Sequence, residues 1–290
     1  MRNTRLTGLI GLGLMGAAIG ERLRAAGFAL LGFDIDAARM RHFAAAGGET
    51  ATSVTEVAQR CERSVLAVYD TAQVESVLEQ MATADGTQIV LCTSTVDPQG
   101  IVALAARAAG HGISLIEVPV SGTSVQVRAG EGVGILAGDD AAIEAAADLL
   151  AAICPKRFRI GVTGDAAKAK LAINLVLQLN RVALAEGLVF AERLGLPASA
   201  FLDVLRGSPA YSSVMDSKGM KMLSGDFSPD SRIAQTLKDA RLMLDQAARA
   251  GQHLPLTEVN AALLQAAVDL HGPDVDPAAV IAAIRAQVQA

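Results

Sequence analysis

The stretch Gly8-Leu9-Ile10-Gly11-Leu12-Gly13-Leu14-Met15-Gly16, with the amphipathic segment after it and the apolar run that ends at Asp34, decides the fold of this chain. A short apolar strand ends at Ile10, and three glycines follow with the spacing G-x-G-x-x-G. The residues after Gly16 suit a helix that packs on a sheet and ends at Gly27. This order of strand, glycine-rich turn, helix and second strand predicts the start of a doubly wound α/β fold.

Each glycine of this turn has a separate purpose in a dinucleotide site. Gly11 allows the tight turn, Gly13 lets the backbone approach a pyrophosphate, and Gly16 lets the helix pack closely on the strand. The first helical turn, with Leu14 and Met15, offers unpaired N–H groups to the phosphates. The motif therefore predicts a bound dinucleotide, and the alternative is a degenerate fold that has lost its ligand.

An acidic residue at the end of the second strand predicts which dinucleotide binds. Asp34 lies 18 residues after Gly16, where a carboxylate can accept hydrogen bonds from ribose hydroxyls. The same carboxylate would repel a 2′-phosphate, so NAD is favoured over NADP. We also assign Val68 and Tyr69, at and after the end of a later predicted strand, to the cofactor site.

Composition narrows the class of protein. The chain has 290 residues and is 51% hydrophobic, enough for two domains and a large core. The formal charge of −5 and the absence of a basic block argue against nucleic acid as a partner. No apolar stretch reaches the roughly 18–20 residues of a membrane span, and little sequence precedes the first strand to serve as a signal peptide. We therefore expect a soluble, cytoplasmic protein that does not bind membranes.

Cysteines and histidines predict neither disulfides nor a metal site. The 3 cysteines are scattered and odd in number, and the 4 histidines lie far apart without metal-ligand spacing.

The pattern of elements changes along the chain. Short apolar strands alternate with helices in the first part, which predicts a parallel sheet with helices on both faces. From about Asp165 long helical patterns take over, beginning with one helix over Ala166–Leu194. We therefore predict a Rossmann-type NAD-binding domain over residues 1–163 and an all-α domain over 164–290, joined by a long interdomain helix; the resemblance described below implies that the second domain binds substrate and forms the dimer contact. The candidate strands are Thr7–Ile10, Ala29–Phe33, Ser64–Val68, Gln88–Cys92, Ser114–Pro119 and Gly132–Ala137.

Two loops that follow predicted strands carry small polar groups. In the first, Ser94 fits a helix cap, whereas Thr95 could cap and also hydrogen-bond a ribose or carboxamide. In the second, Ser121-Gly122-Thr123 could turn a hydroxyl and backbone N–H groups toward a substrate carboxylate. A plain turn explains the second loop equally well.

A third segment places a lysine and an asparagine on the long helix. Lys170 and Asn174 are four residues apart and share one face, while Lys168 points elsewhere. Apolar neighbours surround Lys170, and a lysine in a partly dry cleft can act as a general acid or base. A surface helix with two polar residues is the alternative.

Together these segments resemble the β-hydroxyacid dehydrogenase family, which includes 3-hydroxyisobutyrate dehydrogenase and, more distantly, 6-phosphogluconate dehydrogenase. The resemblance covers nearly the whole chain. It is carried by the turn Gly11–Gly16, Ser94-Thr95 followed by Pro98, Pro119–Gly122, Lys170 with Asn174, and the pair Lys238-Asp239.

The resemblance implies a role for each of these residues. Ser121, Gly122 and Asn174 would hold the substrate carboxylate and its neighbouring hydroxyl, and Lys170 would shuttle the proton. Lys238 would reach the cofactor. Hydride would move between C3 of the substrate and the nicotinamide, in a homodimer or homotetramer. The predicted catalytic residues are Lys170, Asn174 and Ser121; Gly122, Thr123, Ser231 and Asp239 complete the substrate site; the cofactor residues are Gly11, Gly13, Leu14, Met15, Gly16, Asp34, Val68, Tyr69, Thr95 and Lys238.

The chain departs from the family pattern at the expected rim of the substrate pocket. Glu117 replaces the usual aspartate, and Thr123 replaces a common second glycine, with its backbone N–H still available. Gly132 and Gly134 stand where larger residues are common, and Ser231 where several relatives have phenylalanine. These changes predict extra space and a larger or more polar substrate than a small semialdehyde.

The sequence thus predicts an NAD-dependent dehydrogenase of a β-hydroxy acid. The candidate substrates are a sugar acid, a β-hydroxy amino acid and a hydroxyisobutyrate-like compound. The alternatives are a semialdehyde reductase, an imine reductase, whose relatives generally lack the lysine, and a non-catalytic NAD-binding protein.

Overall fold

A computed structural model describes residues 6–84 and 86–287 of the chain. The chain divides into two compact units, and the division falls after Lys170. The strands of the N-terminal unit are β1 (Thr7–Ile10), β2 (Leu30–Phe33), β3 (Glu49–Thr50), β4 (Arg63–Leu66), β5 (Gln88–Cys92), β6 (Ile113–Glu117), β7 (Val120–Ser121), β8 (Val133–Ala137) and β9 (Lys156–Gly161). Its helices are α1 (Leu14–Ala25), α2 (Ala37–Ala45), α3 (Val54–Arg60), α4 (Thr71–Met81), α5 (Pro98–Ala109), α6 (Ser124–Arg128), α7 (Asp140–Ala145) and α8 (Ala147–Ile153).

The long helix α9 (Asp165–Arg193) begins in the N-terminal unit and ends in the C-terminal one. In the described part of the C-terminal unit the remaining elements are all helices, joined by loops. Its elements are α10 (Ala198–Arg206), α11 (Ser213–Ser224), α12 (Ile233–Arg249), α13 (Pro255–His271), a 3₁₀ turn (Pro277–Ala279) and α14 (Val280–Ala286).

The strands of the N-terminal unit form one sheet in the order β3-β2-β1-β4-β5-β6-β8-β7, with β9 paired to β8. The strands from β3 to β6 are parallel, as the alternation of strands and helices predicts. Strand β8 differs, because it runs antiparallel to β6 and β7. The chain between β7 and β8 contains only the short helix α6, and a link of that kind returns the chain antiparallel rather than crossing over.

Both faces of the sheet are buried. Neighbouring residues of a strand point to opposite faces, and in the central strands both sets of side chains belong to apolar clusters. Leu9, Val65 and Leu91 belong to one apolar cluster, which also contains residues of α1 and α8. The residues that follow or precede them, Ile10, Leu66 and Val90, belong to a second cluster with α3, α4 and α5. The doubly wound architecture predicted from the sequence is confirmed.

The C-terminal unit has its own core. Leu184 and Leu188 of α9 are buried against Ile233 of α12 and Leu264 of α13 in one apolar cluster. The predicted long helix over Ala166–Leu194 agrees with α9 to within one residue at each end.

Helix α9 is long and apolar enough to cross a membrane, judged by length and composition only. The expectation that no stretch would reach that length was wrong, because Arg181 and Glu186 do not lower the mean hydropathy of its most apolar window below 1.3. The core helix of a soluble protein passes the same test, and 44% of that window is buried within the protein.

A buried ion pair lies inside the C-terminal unit. Lys218 Nζ donates to Asp276 Oδ2 at 2.7 Å, and the two side chains are only 3% and 0% exposed. Asp276 also accepts from Ala278 N at 3.0 Å and from Asp230 N at 3.1 Å, so its carboxylate joins the loop before α12 to the 3₁₀ turn. Removal of one partner of such a pair leaves an uncompensated buried charge.

We predict that Asp276→Asn lowers the free energy of unfolding by about 3 kcal/mol, because Lys218 then keeps only the more exposed Asp230, at 3.3 Å, as a charged partner. The double variant Lys218→Met with Asp276→Asn removes the stranded charge and should regain part of that loss. Urea unfolding measures both. The account would be contradicted if the double variant lost as much unfolding free energy as Asp276→Asn and Lys218→Met lose separately, added together.

Candidate active site

Two glycines of the glycine-rich turn have no space for a side chain, and the third faces open space. Gly11 has φ +91°, and a Cβ there would lie 2.5 Å from the carbonyl oxygen of Ala67. A Cβ at Gly16 would lie 1.9 Å from the carbonyl oxygen of Gly11, so α1 packs here backbone against backbone. A Cβ at Gly13 would meet only Arg39 Nη1, at 3.8 Å. Gly13 is therefore where another molecule can approach the backbone.

The start of α1 supplies donors at this open point. Gly13 is the residue before the helix, and no side chain among the described residues caps it. Leu14 and Met15 form the first turn and are partly buried. Free N–H groups at the N-terminus of a helix bind phosphate, so the turn fits the pyrophosphate of a dinucleotide.

Asp34 is fixed beside this turn. Its Oδ2 accepts from Leu12 N at 2.7 Å, its Oδ1 accepts from Asp36 N at 2.8 Å, and its side chain is 4% exposed. Arg39 Nη1 lies 3.3 Å from Oδ2. The sequence reasoning missed Arg39, although an arginine in the first turn of the helix after the acidic residue was a usable signal. Asp34 is thus held in place to accept hydrogen bonds, with a cation next to it.

The loops after β4 and β5 are tied together by a serine. Ser94 Oγ donates to Val68 O at 2.7 Å and lies 3.1 Å from Val68 N, which can donate to it. The expectation that Ser94 caps a helix was wrong, because Asp97 accepts from Gln99 N and caps α5 instead. Thr95 is buried next to Ser94, and Tyr69 is exposed beside Val68. Val68 and Tyr69 after β4 therefore lie in a loop that adjoins the loop of Ser94 and Thr95 after β5.

The loop around Ser121 is a short strand followed by a helix cap. Ser121 pairs with Val133 of β8, and Gly122 has φ +142°. Thr123 Oγ1 accepts from Gln126 N, and Gln126 Oε1 accepts from Thr123 N at 2.8 Å. The expectation of a free Thr123 N–H was wrong, because this reciprocal capping box uses both of its polar groups.

The two glycines of β8 and the turn before it leave no extra space. A Cβ at Gly132 would lie 2.9 Å from Val127 and 3.0 Å from Val120. A Cβ at Gly134 would lie 3.0 Å from Cys154. The expectation of an enlarged pocket at these glycines was wrong, because neighbouring side chains already fill the positions.

Lys170 is a buried amine next to the Ser121 loop. Its side chain lies on α9, the residue is 6% exposed, and Nζ donates to Val120 O at 2.9 Å. Lys168, in contrast, is exposed and pairs with Asp165 at 3.0 Å. The prediction that Lys168 points elsewhere is confirmed, and the surface-helix alternative for Lys170 is wrong.

In the C-terminal unit, Asp239 organises two of the predicted residues. Asn174 Nδ2 donates to Asp239 Oδ2 at 2.9 Å, and Lys238 Nζ lies 3.0 Å from Asp239 Oδ1. A carboxylate only accepts, so the amide nitrogen of Asn174 must face it and the amide oxygen points away. Ser231 lies two residues before α12 and is partly buried.

Further polar residues continue along α9 within the same unit. Gln178 Nε2 donates to Thr236 O at 3.1 Å, and Asn260 Nδ2 donates to Gln178 Oε1 at 2.8 Å. Arg181 follows, and burial lowers its pKa to about 10, opposed by the nearby Asp276. The sequence reasoning missed Gln178 and Arg181, although polar residues spaced three and four apart on an apolar helix are a readable signal.

No group of three or more His, Cys, Asp or Glu residues that could hold a metal ion occurs in the described part of the chain. The groups available for chemistry are therefore the open helix start at Gly13, the fixed Asp34 carboxylate, the buried Lys170 amine and the oriented Asn174 amide.

Comparison with known proteins gives matches over both units. A family model for the NAD-binding domain of 6-phosphogluconate dehydrogenase matches residues 7–161, and a model described as the NAD-binding region of NADP-dependent 3-hydroxyisobutyrate dehydrogenase matches residues 164–284. L-threonate dehydrogenase of Cupriavidus necator is 30% identical over 96% of this chain and 95% of its own length. Glyoxylate/succinic semialdehyde reductase 1 of Arabidopsis thaliana is 27% identical over 96% of this chain and 98% of its own.

A solved structure agrees with these matches. The crystal structure of 3-hydroxyisobutyrate dehydrogenase from Salmonella typhimurium has a TM-score of 0.88 and 26% identity, and covers 96% of this chain and 99% of its own.

We predict that substitution by alanine affects dinucleotide binding at one glycine of the turn and stability at another. Gly13→Ala should leave the melting temperature nearly unchanged and weaken dinucleotide binding about tenfold or more, because the added methyl occupies the open approach. Gly16→Ala should lower the melting temperature, because its methyl meets a backbone oxygen. Thermal unfolding and calorimetric titration with NAD measure both. Equal effects of the two substitutions on stability would contradict this reading of the turn.

Proposed function

This chain belongs to the β-hydroxyacid dehydrogenase family of NAD(P)-dependent oxidoreductases, and from that premise we propose that it transfers hydride between NAD and C3 of a β-hydroxy acid, with Lys170 as general acid and base. The observation that carries the proposal is the buried Lys170 amine, 2.9 Å from the carbonyl oxygen of the residue before Ser121. A nicotinamide, when bound, accepts the hydride of the carbinol carbon or returns it.

Lys170 moves the hydroxyl proton in this proposal. Oxidation of a carbinol removes a proton from oxygen as the hydride leaves carbon, so a base must lie at the hydroxyl. The hydrogen bond to Val120 O orients the amine next to the Ser121 loop. In the reductive direction the same group, protonated, returns the proton to the carbonyl oxygen.

Asn174, Ser121 and Gly122 bind the substrate in this proposal. The bond to Asp239 turns the amide oxygen of Asn174 away, where it can accept from a substrate hydroxyl. Ser121 contributes its hydroxyl, and the backbone of Gly122 can approach a carboxylate closely. Because the Thr123 N–H is bound to Gln126, Thr123 lines the site rather than binding the carboxylate.

A sugar acid is the substrate class that we favour. The relative named L-threonate dehydrogenase matches over nearly the full length of both chains. Ser231 supports a polyhydroxylated substrate, since a hydroxyl side chain can pair with a substrate hydroxyl where phenylalanine cannot. A β-hydroxy amino acid, a hydroxyisobutyrate-like acid and a semialdehyde taken in the reductive direction are the outcomes that the substrate test separates.

We propose NAD as the physiological cofactor. The fixed, buried carboxylate of Asp34 suits the ribose hydroxyls and repels a 2′-phosphate. Arg39 beside it would attract that phosphate, and the family model over residues 164–284 describes an NADP-dependent enzyme, so NADP belongs in every assay. A cytoplasmic location stays a prediction from the sequence.

The test is the change in absorbance of NADH across a panel of sugar acids, β-hydroxy amino acids and hydroxyisobutyrate, with NADP in parallel. We expect threonate-like sugar acids with NAD to give the highest kcat/KM. Higher activity on small semialdehydes with NADPH would overturn both the direction and the cofactor. Tight NAD binding without turnover on any compound would favour the non-catalytic alternative.

Lys170→Ala should lower kcat by a factor of about 10²–10⁴ while NAD binding is retained, because the proton acceptor is lost. Added methylamine should restore part of the rate. The matched control is Lys168→Ala, two residues away and exposed, which should keep the rate of the parent enzyme. Equal rates for the two variants would remove Lys170 from the mechanism.

We further propose that the protein is a homodimer or homotetramer. One face of α9 in the C-terminal unit remains apolar and exposed at Ile173, Val176 and Phe190. With Asn180, Ala183 and Gly187 these residues follow a spacing of three and four, which suits close packing against an identical helix. A second copy of the chain is the partner that this regular, uncharged stripe fits.

Phe190→Asp should therefore shift the protein to a smaller species in sedimentation velocity measurements, because it buries a charge in the proposed contact. Val204→Asp on α10 is the control, since Val204 is equally exposed but lies outside the stripe. A monomeric parent protein would refute the proposal directly.

A further inference from the structure

The residue just before helix α9 is a glycine, at the position where helices commonly have a capping side chain. Gly164 is the capping residue, because its carbonyl oxygen accepts the first hydrogen bond of the helix, from Lys168 N at 3.1 Å. A Ser, Thr, Asp or Asn there would accept a hydrogen bond from the third N–H group of the helix. Gly164 has no side chain and has φ +98°, a conformation that residues with a Cβ rarely adopt. The first turn of α9 therefore needs an acceptor from another part of the chain.

Glu117, the last residue of β6, provides that acceptor. Its Oε1 accepts from Ala167 N at 2.8 Å, and its Oε2 accepts from Gly164 N. Ala167 is the third residue of the helix, so this hydrogen bond replaces the one that a local capping side chain would make. A carboxylate is also favourable at the positive end of a helix.

The carboxylate is buried, which makes its two hydrogen bonds necessary. Glu117 is 1% exposed. Burial raises the pKa of its carboxyl, against the two N–H groups and Lys168, which lower it, while Asp165 adds to the rise. A buried polar group that loses its partners is costly, so Glu117 and the first turn of α9 hold each other in place.

The end of β6 and the start of α9 also contact each other three residues further along each segment. Val120 lies three residues after Glu117, and Lys170 lies three residues after Ala167. Val120 O accepts from Lys170 Nζ at 2.9 Å. Ser121 is the next residue of the strand. The end of β6 and the start of α9 are thus joined twice, at Glu117 and at Lys170.

We propose that Glu117 is a positioning residue, which caps α9 from the end of β6 and thereby holds the Lys170 amine at the backbone of Val120 and Ser121. The kinetic consequence rests on the proposed function of Lys170. The placement of the amine does not, and it can be measured without a substrate.

Two substitutions separate charge, length and shape. Glu117→Gln keeps the shape but replaces one acceptor oxygen with an NH₂ group that cannot accept from an N–H. Glu117→Asp keeps the charge but retracts the carboxylate by about 1.5 Å, the length of one C–C bond. We expect Gln to release the first turn of α9, and Asp to retain it in part.

The first measurement is the rate of acetylation of Lys170 relative to Lys168 in the same molecule, read by mass spectrometry after brief treatment with acetic anhydride. In the parent protein the buried Lys170 should react about tenfold more slowly than the exposed Lys168. Glu117→Gln should raise the relative rate of Lys170 several-fold, and Glu117→Asp should raise it less. An unchanged ratio in Glu117→Gln would overturn the proposal, whatever the kinetics.

The second measurement is steady-state kinetics on the substrate found by the panel, with NAD binding measured alongside. Glu117→Gln should lower kcat about tenfold or more with a smaller change in KM and in NAD affinity, because a displaced proton acceptor weakens only the transition state. Glu117→Asp should recover part of the rate. A change in the labelling ratio with kcat within twofold of the parent value would reduce Glu117 to a structural cap and overturn its positioning role.

A matched control removes a helix cap elsewhere in the same unit. Asp139 caps α7 by accepting from Ala142 N at 2.9 Å. Asp139→Ala should lower stability without changing kcat or the Lys170 to Lys168 labelling ratio. If the parent protein proves inactive on every substrate while the Glu117→Gln labelling ratio rises as expected, the proposed function fails and the placement of Lys170 by Glu117 stands.

Discussion

The N-terminal unit depends on one close contact, between the first turn of α1 and the end of β1. At Gly16 the backbone of α1 lies so near the carbonyl of Gly11 that no side chain fits between them. This contact points the start of α1 at the carboxyl edge of the sheet, where free N–H groups can bind phosphate. The loop between them also donates from Leu12 N to Asp34, which fixes the acidic residue of the next strand beside the same edge. A single packing constraint thus brings together the free N–H groups of α1 and the carboxylate of Asp34.

Helix α9 shows how polar groups are accommodated in an apolar helix. Lys170, Asn174 and Gln178 follow one another at intervals of four residues, and all three are buried. Each has a defined partner: the carbonyl of Val120, the carboxylate of Asp239, and the carbonyl of Thr236. Buried polar side chains without such partners would destabilise the fold, so these residues are held in single orientations. Fixed orientation is what the proposed roles of Lys170 in proton transfer and of Asn174 in substrate binding require.

Patterns with a short range in sequence predicted the structure well. The glycine turn, the parallel strands up to β6 and the extent of α9 follow from period and spacing, which depend on local backbone geometry. Expectations that depended on what lies next to a side chain were less successful. Ser94 joins two loops instead of capping a helix, and the Thr123 N–H is occupied by Gln126. The glycines of the β8 region leave no space, because Val127 and Cys154 fill it.

The sequence by itself therefore determined the fold class, the cofactor-binding turn and the pair Lys170 and Asn174 on α9, because each follows from spacing along a few consecutive turns or strands. Only the tertiary structure decided which groups are free to bind and which are already paired. The role of Glu117 illustrates the reason. Its hydrogen bonds reach the start of α9 across 47 and 50 residues of chain, and no local pattern encodes a contact at that distance.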